Sequence, residues 1–192
     1  MNSAKACIIT IGDELLIGQV IDTNSAFLAQ KLNSVGISVT NRISVGDDKN
    51  AIKNALDRAI TTNEIIIITG GLGPTADDIT KPLLNEYFGG KLIIHNPTLE
   101  HITHLFEKVY NRPMIERNKK QAEVPDVCEV LLNETGTAPG MVFRKGQSVI
   151  FSLPGVPHEM KWLTENKVLP ILMNEFKGQH IVHKTLLTAG IG

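Results

Sequence analysis

Glu64-Ile65-Ile66-Ile67-Ile68-Thr69 runs without a break into Gly70-Gly71-Leu72-Gly73-Pro74-Thr75-Ala76-Asp77-Asp78-Ile79-Thr80. Consecutive β-branched residues favour an extended strand, and with no polar residue interleaved both faces of that strand must be buried. Such a strand lies in the middle of a parallel sheet. The glycines stop it, and Leu83, Leu84, Tyr87 and Phe88 then recur at helical spacing. Pro82 fits that helix only in its first turn, where a missing N–H costs nothing.

Towards the N-terminus strand and helix signals alternate. Ala6–Ile11 is a short apolar run halted by Gly12-Asp13-Glu14. Thr23–Val35 places Leu28, Leu32 and Val35 on one helical face, with Gly36 where a helix terminator belongs. Ile37–Val45 alternates as a strand, with Ile37, Val39, Ile43 and Val45 as its apolar positions. Asp47 or Asp48 then caps a helix in which Ile52, Leu56, Ala59 and Ile60 share a face. Repetition of this kind predicts right-handed crossovers and an α/β fold, a three-layer α/β/α sandwich around a mostly parallel sheet.

The second half is less regular. Pro97–Tyr110 reads as a helix with Ile102, Leu105, Phe106 and Val109 inward, and Val130–Leu132, Met141–Arg144 and Ser148–Leu153 read as short strands. Pro157–Phe176 is a final amphipathic helix that Pro170 should kink or split. Ile181–Leu187 is a last strand-like segment, and the chain then ends at Ala189-Gly-Ile-Gly192 as though at a linker. One domain over residues 1–176 is expected, with 177–192 opening a linker towards a further C-terminal domain.

Composition narrows the function classes. The 192 residues carry 19 basic and 20 acidic side chains, for a net charge of −1. A nucleic-acid binder needs a basic face that this balance does not supply, and Arg112–Lys120 is better read as a solvated stretch. No signal peptide opens the chain and no window approaches a membrane span. Cys7 and Cys128 match no metal-binding spacing and suit a reducing compartment. A cytoplasmic protein is expected, with no nucleic-acid or membrane partner.

Ligands of parallel α/β sheets bind outside the carboxyl ends of the strands, where several turn motifs of this sequence fall. They are Gly12-Asp13-Glu14, Gly70–Thr80, Asn133–Gly140 and Leu153-Pro154-Gly155-Val156-Pro157. The Gly70 loop meets the requirements of a phosphate cradle, since glycines let the backbone approach an anion and the next helix offers free N–H groups. It is neither a Walker loop nor a dinucleotide fingerprint, because their spacings are absent. The plainer alternative is a tight turn in which Asp77 and Asp78 merely favour a helix N-terminus. Adding Asp13 and Glu14 sets up to four carboxylates beside one anion site. That arrangement requires a bridging cation, and Mg²⁺ fits best because it combines one or two carboxylates with substrate phosphates. The histidines form no comparable constellation: His101 and His104 lack a third ligand, and His180 and His183 point to opposite faces of an extended segment.

Taken together, Gly12-Asp13-Glu14-Leu15-Leu16-x-Gly18, Asp22-Thr23-Asn24-Ser25, Val45-Gly46-Asp47-Asp48 and Gly70–Thr80 resemble the competence/damage-inducible CinA family. So do Asn118-x-x-Gln121-Ala122, Asn133-x-x-Gly136-Thr137-Ala138-Pro139-Gly140 and Leu153-Pro154-Gly155-Val156-Pro157-x-Glu159. The wider superfamily holds the MogA and MoeA domains of molybdenum-cofactor biosynthesis. The resemblance implies a MogA-like sandwich and a metal-dependent hydrolysis of ADP-ribose to AMP and ribose 5-phosphate. Family members usually continue into a domain that deamidates nicotinamide mononucleotide, an activity not expected of these 192 residues. Molybdopterin-binding relatives usually carry threonine where Leu72 stands, which favours the CinA pattern over a pterin phosphate. Asp78 falls where molybdopterin adenylyltransferases carry their essential aspartate.

The expected site follows from both lines. Asp78 and Asp77 are the expected catalytic residues, and Asp13, Glu14, Asp77 and Asp78 the expected ligands of Mg²⁺ or another divalent cation. Gly70, Gly71, Gly73, Pro74, Thr75 and Thr80 would take phosphate, and Gly12, Asn24, Pro154 and Gly155 would border it. Asn118, Asn133, Gly136 and Thr137 would line the nucleotide side. A homo-oligomer acting on a small-molecule nucleotide diphosphate is expected. The alternatives are a molybdopterin-binding or adenylylating domain and a non-catalytic nucleotide-binding regulatory module.

Overall fold

The computed structural model describes residues 3–75, 77–176 and 189–190. The isoleucine run forms β3 (Ile65–Thr69), and all five residues are buried. It pairs in parallel with β1 (Lys5–Ile11) on one side and β8 (Ser148–Leu153) on the other, while β1 also pairs in parallel with β2 (Ser38–Val45). The six-stranded sheet has the order β2-β1-β3-β8-β7-β6, so β3 lies in its interior as its composition requires. Beyond β8 the pairing turns antiparallel through β7 (Gly140–Lys145) and β6 (Glu129–Leu131), giving a mixed but mostly parallel sheet. The short turn Gly146-Gln147 joins β7 to β8 at the edge opposite the carboxyl ends of the parallel strands.

Strand alternation sends side chains to two separate cores. Ala6, Ile8, Ile65, Ile67 and Phe151 face α2 (Thr23–Ser34) and α7 (Pro157–Leu163), meeting Leu28, Leu32, Met160 and Leu163. Cys7, Ile9, Ile66, Ile68 and Phe143 face α3 (Lys49–Thr62) and α4 (Thr80–Tyr87), meeting Ile52, Leu56, Leu83 and Leu84. Full burial of each large aliphatic side chain contributes about 1.5–3 kcal/mol, which makes this double-sided packing the main support of the three layers. Asp48 caps α3 by accepting from Ala51 N at 2.8 Å, and Asp22 caps α2 by accepting from Ser25 N at 2.8 Å. Pro82 is the third residue of α4, inside its first turn.

Three features depart from the sequence reading. The four-residue helix α1 (Asp13–Leu16) follows β1 directly, and a two-stranded antiparallel sheet forms from β4 (Leu92–Ile94) and β5 (Glu123–Pro125). The helix expected over 97–110 is α5 (Asn96–His104) continued by a π-helical turn over Leu105–Val109. Ile102 is buried, but Val109 is 58% exposed, because the wider π turn rotates it off the inward face. A short α6 (Glu116–Lys119) carries Asn118. Pro170 does split the last helix: a π turn over Thr164–Val168 separates α7 from α8 (Leu169–Glu175), where the proline occupies the first turn. The strand read over 181–187 lies outside the described residues. No helix among the described residues is long and apolar enough to cross a membrane.

Candidate functional site

The carboxyl ends of β1, β2, β3 and β8 meet along one edge, and the turn motifs of the sequence gather there. Gly70 carries φ +113° and donates its N–H to Leu153 O at 3.1 Å. A Cβ on it would lie 2.4 Å from Ile11 O, so only glycine lets β1, β3 and β8 close this tightly. Gly71 carries φ +67°, and a Cβ there would lie 2.2 Å from Thr80 Oγ1. Thr80 N returns a hydrogen bond to Gly71 O at 3.2 Å, while its hydroxyl is buried with no hydrogen-bond partner.

Asp78 folds the loop around its own carboxylate. One oxygen accepts from Gly73 N at 2.7 Å; the other accepts from Thr75 N at 2.9 Å and from the Thr75 hydroxyl. Ile79, not an aspartate, precedes α4, and no side chain caps that helix. The capping alternative is therefore not what Asp78 does. Asp77 is exposed, and Pro74 is half-buried beside Gly73. Leu72 is 2% exposed and packs in the α3–α4 core, so the change from threonine alters packing beneath the loop and not its accessible donors. Leu72 therefore does not weigh against a pterin phosphate.

A second carboxylate, absent from the expected set, enters here. Asp13 N donates to Asp47 Oδ2 at 3.1 Å, and Asp47 N donates to Asp13 Oδ1 at 3.1 Å. This reciprocal lock ties the β1 and β2 turns together, and Gly46 leaves room for it because a Cβ would stand 2.4 Å from Asp13 Oδ1. Burial pushes the Asp47 carboxyl above the ordinary carboxylate range; the N–H of Asp13 opposes this, and the charges of Asp13, Glu14 and Asp78 add to it. The Glu14 carboxylate packs against Gly12. Among the described residues none of these acids forms a salt bridge, and no group of three or more histidine, cysteine or acidic side chains is assembled as a metal cage. The donor set instead suits a cation that needs only one or two carboxylates and takes its other ligands from phosphate and water.

Asn24 Nδ2 donates to Gly155 O at 2.8 Å and Thr69 Oγ1 to Pro154 O at 2.8 Å, which hold the β8–α7 turn against the glycine loop. The Asn133–Gly140 turn is a separate construction. Asn133 is 1% exposed; its Nδ2 donates to Ala138 O and to Glu159 Oε2 at 2.6 Å, while its Oδ1 accepts from Thr135 N and hydroxyl. That side chain organises its own turn, and Gly136 lies directly on the Glu159 carboxylate. Burial raises the Glu159 carboxyl, while its bond from Asn133 works the other way. His101 Nε2 reaches Gly136 O at 3.2 Å and His158 Nε2 reaches Thr135 O at 3.4 Å, so both histidines are paired. Thr137 is half-buried in this turn, and Asn118 is half-buried on α6. Buried Lys81, on α4, reaches the turn that follows α6: its Nζ donates to Lys120 O and Gln121 O at 3.3 Å each.

The structure thus brings Gly12, Asp13, Glu14, Asn24, Gly70–Thr75, Asp77–Thr80, Pro154 and Gly155 to one edge, and among the described residues no hydrogen bond runs from Asn118 or from the Asn133–Thr137 turn to the glycine loop. Asp47 stands at this edge although the sequence offers it only as a helix-cap candidate in the Val45–Asp48 motif, and Glu159, a member of the Pro157–Glu159 motif, closes the Asn133 turn.

The mostly parallel α/β/α sandwich is a fold shared with solved MoaB and Mog proteins. The family model described as "Probable molybdopterin binding domain" matches residues 7–174. A CinA-like protein of Flavobacterium psychrophilum is 53% identical over 188 residues, covering 98% of this chain and 45% of that protein. The crystal structure of the protein CinA with unknown function from Thermoplasma acidophilum superposes with a TM-score of 0.77 at 32% identity, covering 89% of this chain and 99% of that one. The molybdopterin biosynthesis enzyme MoaB of Thermus thermophilus shares the fold, with a TM-score of 0.58 at 21% identity over 88% of this chain and 91% of that one. The chain belongs to the probable molybdopterin binding domain family and is CinA-like within it. It spans about 45% of the length of the curated relatives it matches.

Proposed function

We propose that the chain hydrolyses the diphosphate of ADP-ribose or a similar nucleotide in a divalent-cation-dependent reaction, giving AMP and ribose 5-phosphate. The observation that carries this reading is the Asp13–Asp47 lock, two carboxylates crowded within electrostatic reach of Asp78 and the glycine loop. Like charges held together without a protein cation call for a cation from solution, and a diphosphate beside them calls for the same one. Asp47 and Asp13 would hold it, with Glu14 beside them. Bound there, a divalent cation supplies charge neutralisation at phosphorus and orients the attacking water.

The chain's own part is binding and order. The N–H groups of Gly71 and Leu72, which make no hydrogen bond among the described residues, and the unpaired Thr80 hydroxyl would receive phosphate oxygens. Asp78 acts by holding Gly73 and Thr75 in the curve that makes this possible. Water adds to one phosphorus as the bridging P–O bond breaks; the bond's electron pair stays on the leaving phosphate oxygen, and the water's protons pass to the products or the solvent.

Incubation with ADP-ribose, with and without Mg²⁺, Mn²⁺, Co²⁺ or Ni²⁺, should release AMP detectable by chromatography only when a cation is present. Asp47→Asn should lower turnover at least roughly a hundredfold, the order expected for losing a key electrostatic group. Absence of turnover with every cation would end this reading. The family's description favours a second one, a domain that binds molybdopterin or transfers AMP to it. Formation of adenylylated pterin from ATP would establish that reading in its place.

A further inference from the structure

Away from the glycine loop, the two-stranded sheet of β4 and β5 leaves one edge open. Lys91 O accepts from Asp126 N at 2.9 Å, and His95 N donates to Ala122 O at 2.8 Å, on either side of the Ile93–Val124 pair. Bonding groups alternate sides along an antiparallel strand, so Lys91, Ile93 and His95 turn theirs towards β5. Leu92 and Ile94 turn their N–H and C=O groups the other way, where no strand pairs with them among the described residues. The opposite edge, on β5, is closed. Pro125 lies there without an N–H, and its carbonyl already accepts from Cys128 N at 3.2 Å. The open edge is also apolar: Leu92, Ile93 and Ile94 are 41%, 50% and 45% exposed, and Val127, which lies against Gly90, is 46% exposed.

An apolar edge with unused backbone groups is a template for one more strand. Its length restricts which strand fits. Gly89-Gly90 precedes it, and α5 opens at Asn96-Pro97 directly after His95, so only Leu92–Ile94 can pair. We propose that this edge pairs with the same edge of a second copy of the chain, antiparallel about a two-fold axis at Ile93. In that register the outward groups of Leu92 meet those of Ile94 in the second copy, and the outward groups of Ile94 meet those of its Leu92. Every outward N–H and C=O of both strands is then used, whereas a shifted register would set Leu92 or Ile94 against residues outside the strand. The two Ile93 side chains face each other in the closely spaced, non-hydrogen-bonded pair. Two marginal two-stranded sheets become one of four strands. The aliphatic surface covered, on the order of 300 Å² per copy, is well below the ~800 Å² per partner of a permanent interface. Association is therefore reversible, with a Kd on the order of 100 µM.

Sedimentation velocity from about 10 µM to about 1 mM should show monomer giving way to dimer. In a Cys128→Ser background, which removes the half-buried native thiol, Ile93→Cys should form an interchain disulfide on oxidation. Facing Cα atoms in a non-hydrogen-bonded pair lie about 4.5 Å apart, within the reach of that bond. Leu92→Cys, whose counterpart lies diagonally across the axis, should not form one. Ile93→Asp and Ile93→Lys, at an exposed position, each set like charges opposite one another and should each raise Kd at least roughly tenfold. An equimolar mixture of those two variants should recover the dimer, since unlike charges then meet. A chain that stays monomeric at about 1 mM overturns the proposal and leaves the edge to another occupant. A dimer that Ile93→Cys does not bridge, and that Ile93→Asp does not weaken, is built on another surface and overturns it equally. So does a mixture of Ile93→Asp and Ile93→Lys that stays monomeric.

Discussion

Gly70 is pinned from two directions, by its N–H bond to Leu153 O and by the approach of Ile11 O to the place where a side chain would begin. Gly70→Ala must both accept a left-handed φ and push β1 away, so it should cost roughly 1–3 kcal/mol for the backbone alone and more for the displaced strand. Chemical denaturation would measure the loss, and AMP release should vanish with it. Asp47 makes the opposite trade. Its carboxyl is raised in the folded chain, so the charged form opposes folding at pH values above that raised value and ceases to do so once acid protonates it. Asp47→Asn should therefore raise Tm at neutral pH, lose that advantage in acid, and lower turnover at least roughly a hundredfold throughout. Neither effect is visible in a list of residue types. Asp47 reads in sequence as a possible helix cap, and its pairing with Asp13 spans 34 positions.

At the scale of the element, legibility follows burial. β3 could be read from its composition because both of its faces are covered, and α3 because one face is. β4 and β5 have three residues each, and β4 is exposed throughout, so no periodic pattern marks it. Asn133 reads in sequence as a lining residue because an amide in a glycine-rich turn signals ligand binding and turn closure equally; its four bonds within the turn and to Glu159 serve closure. Lys81 shows what elements do to each other. It is 7% exposed on α4, and burial pulls its ammonium from 10.5 down to about 8, with Glu123 and Asp78 opposing that fall. The unfolded chain then binds the extra proton between these values, so stability should rise with pH from about 8 to about 10.5. Lys81→Met should flatten that rise relative to the parent in denaturation curves taken at successive pH values. Lys81→Arg, whose charge does not titrate there, should flatten it as well.

Across the whole molecule, two cores on either side of one sheet hold the strand ends in register, and the glycine turn and the acid lock gather at those ends. The layer architecture could be read from strand–helix alternation, whereas the meeting of Asp13 with Asp47 at the strand ends could not, because it depends on how β1 and β2 pair. Thr10 and Thr69 face α2, and Ile9, Ile11 and Ile68 face α3 and α4. At the far edge, the Gly146-Gln147 turn has nothing within 4 Å of the place a Gly146 side chain would occupy. That turn is a natural handle: a dye, a biotin or a short inserted peptide attached there would sit a full strand length from the glycine loop. The chain could be tethered to a surface by this end with its glycine-loop edge facing the solution.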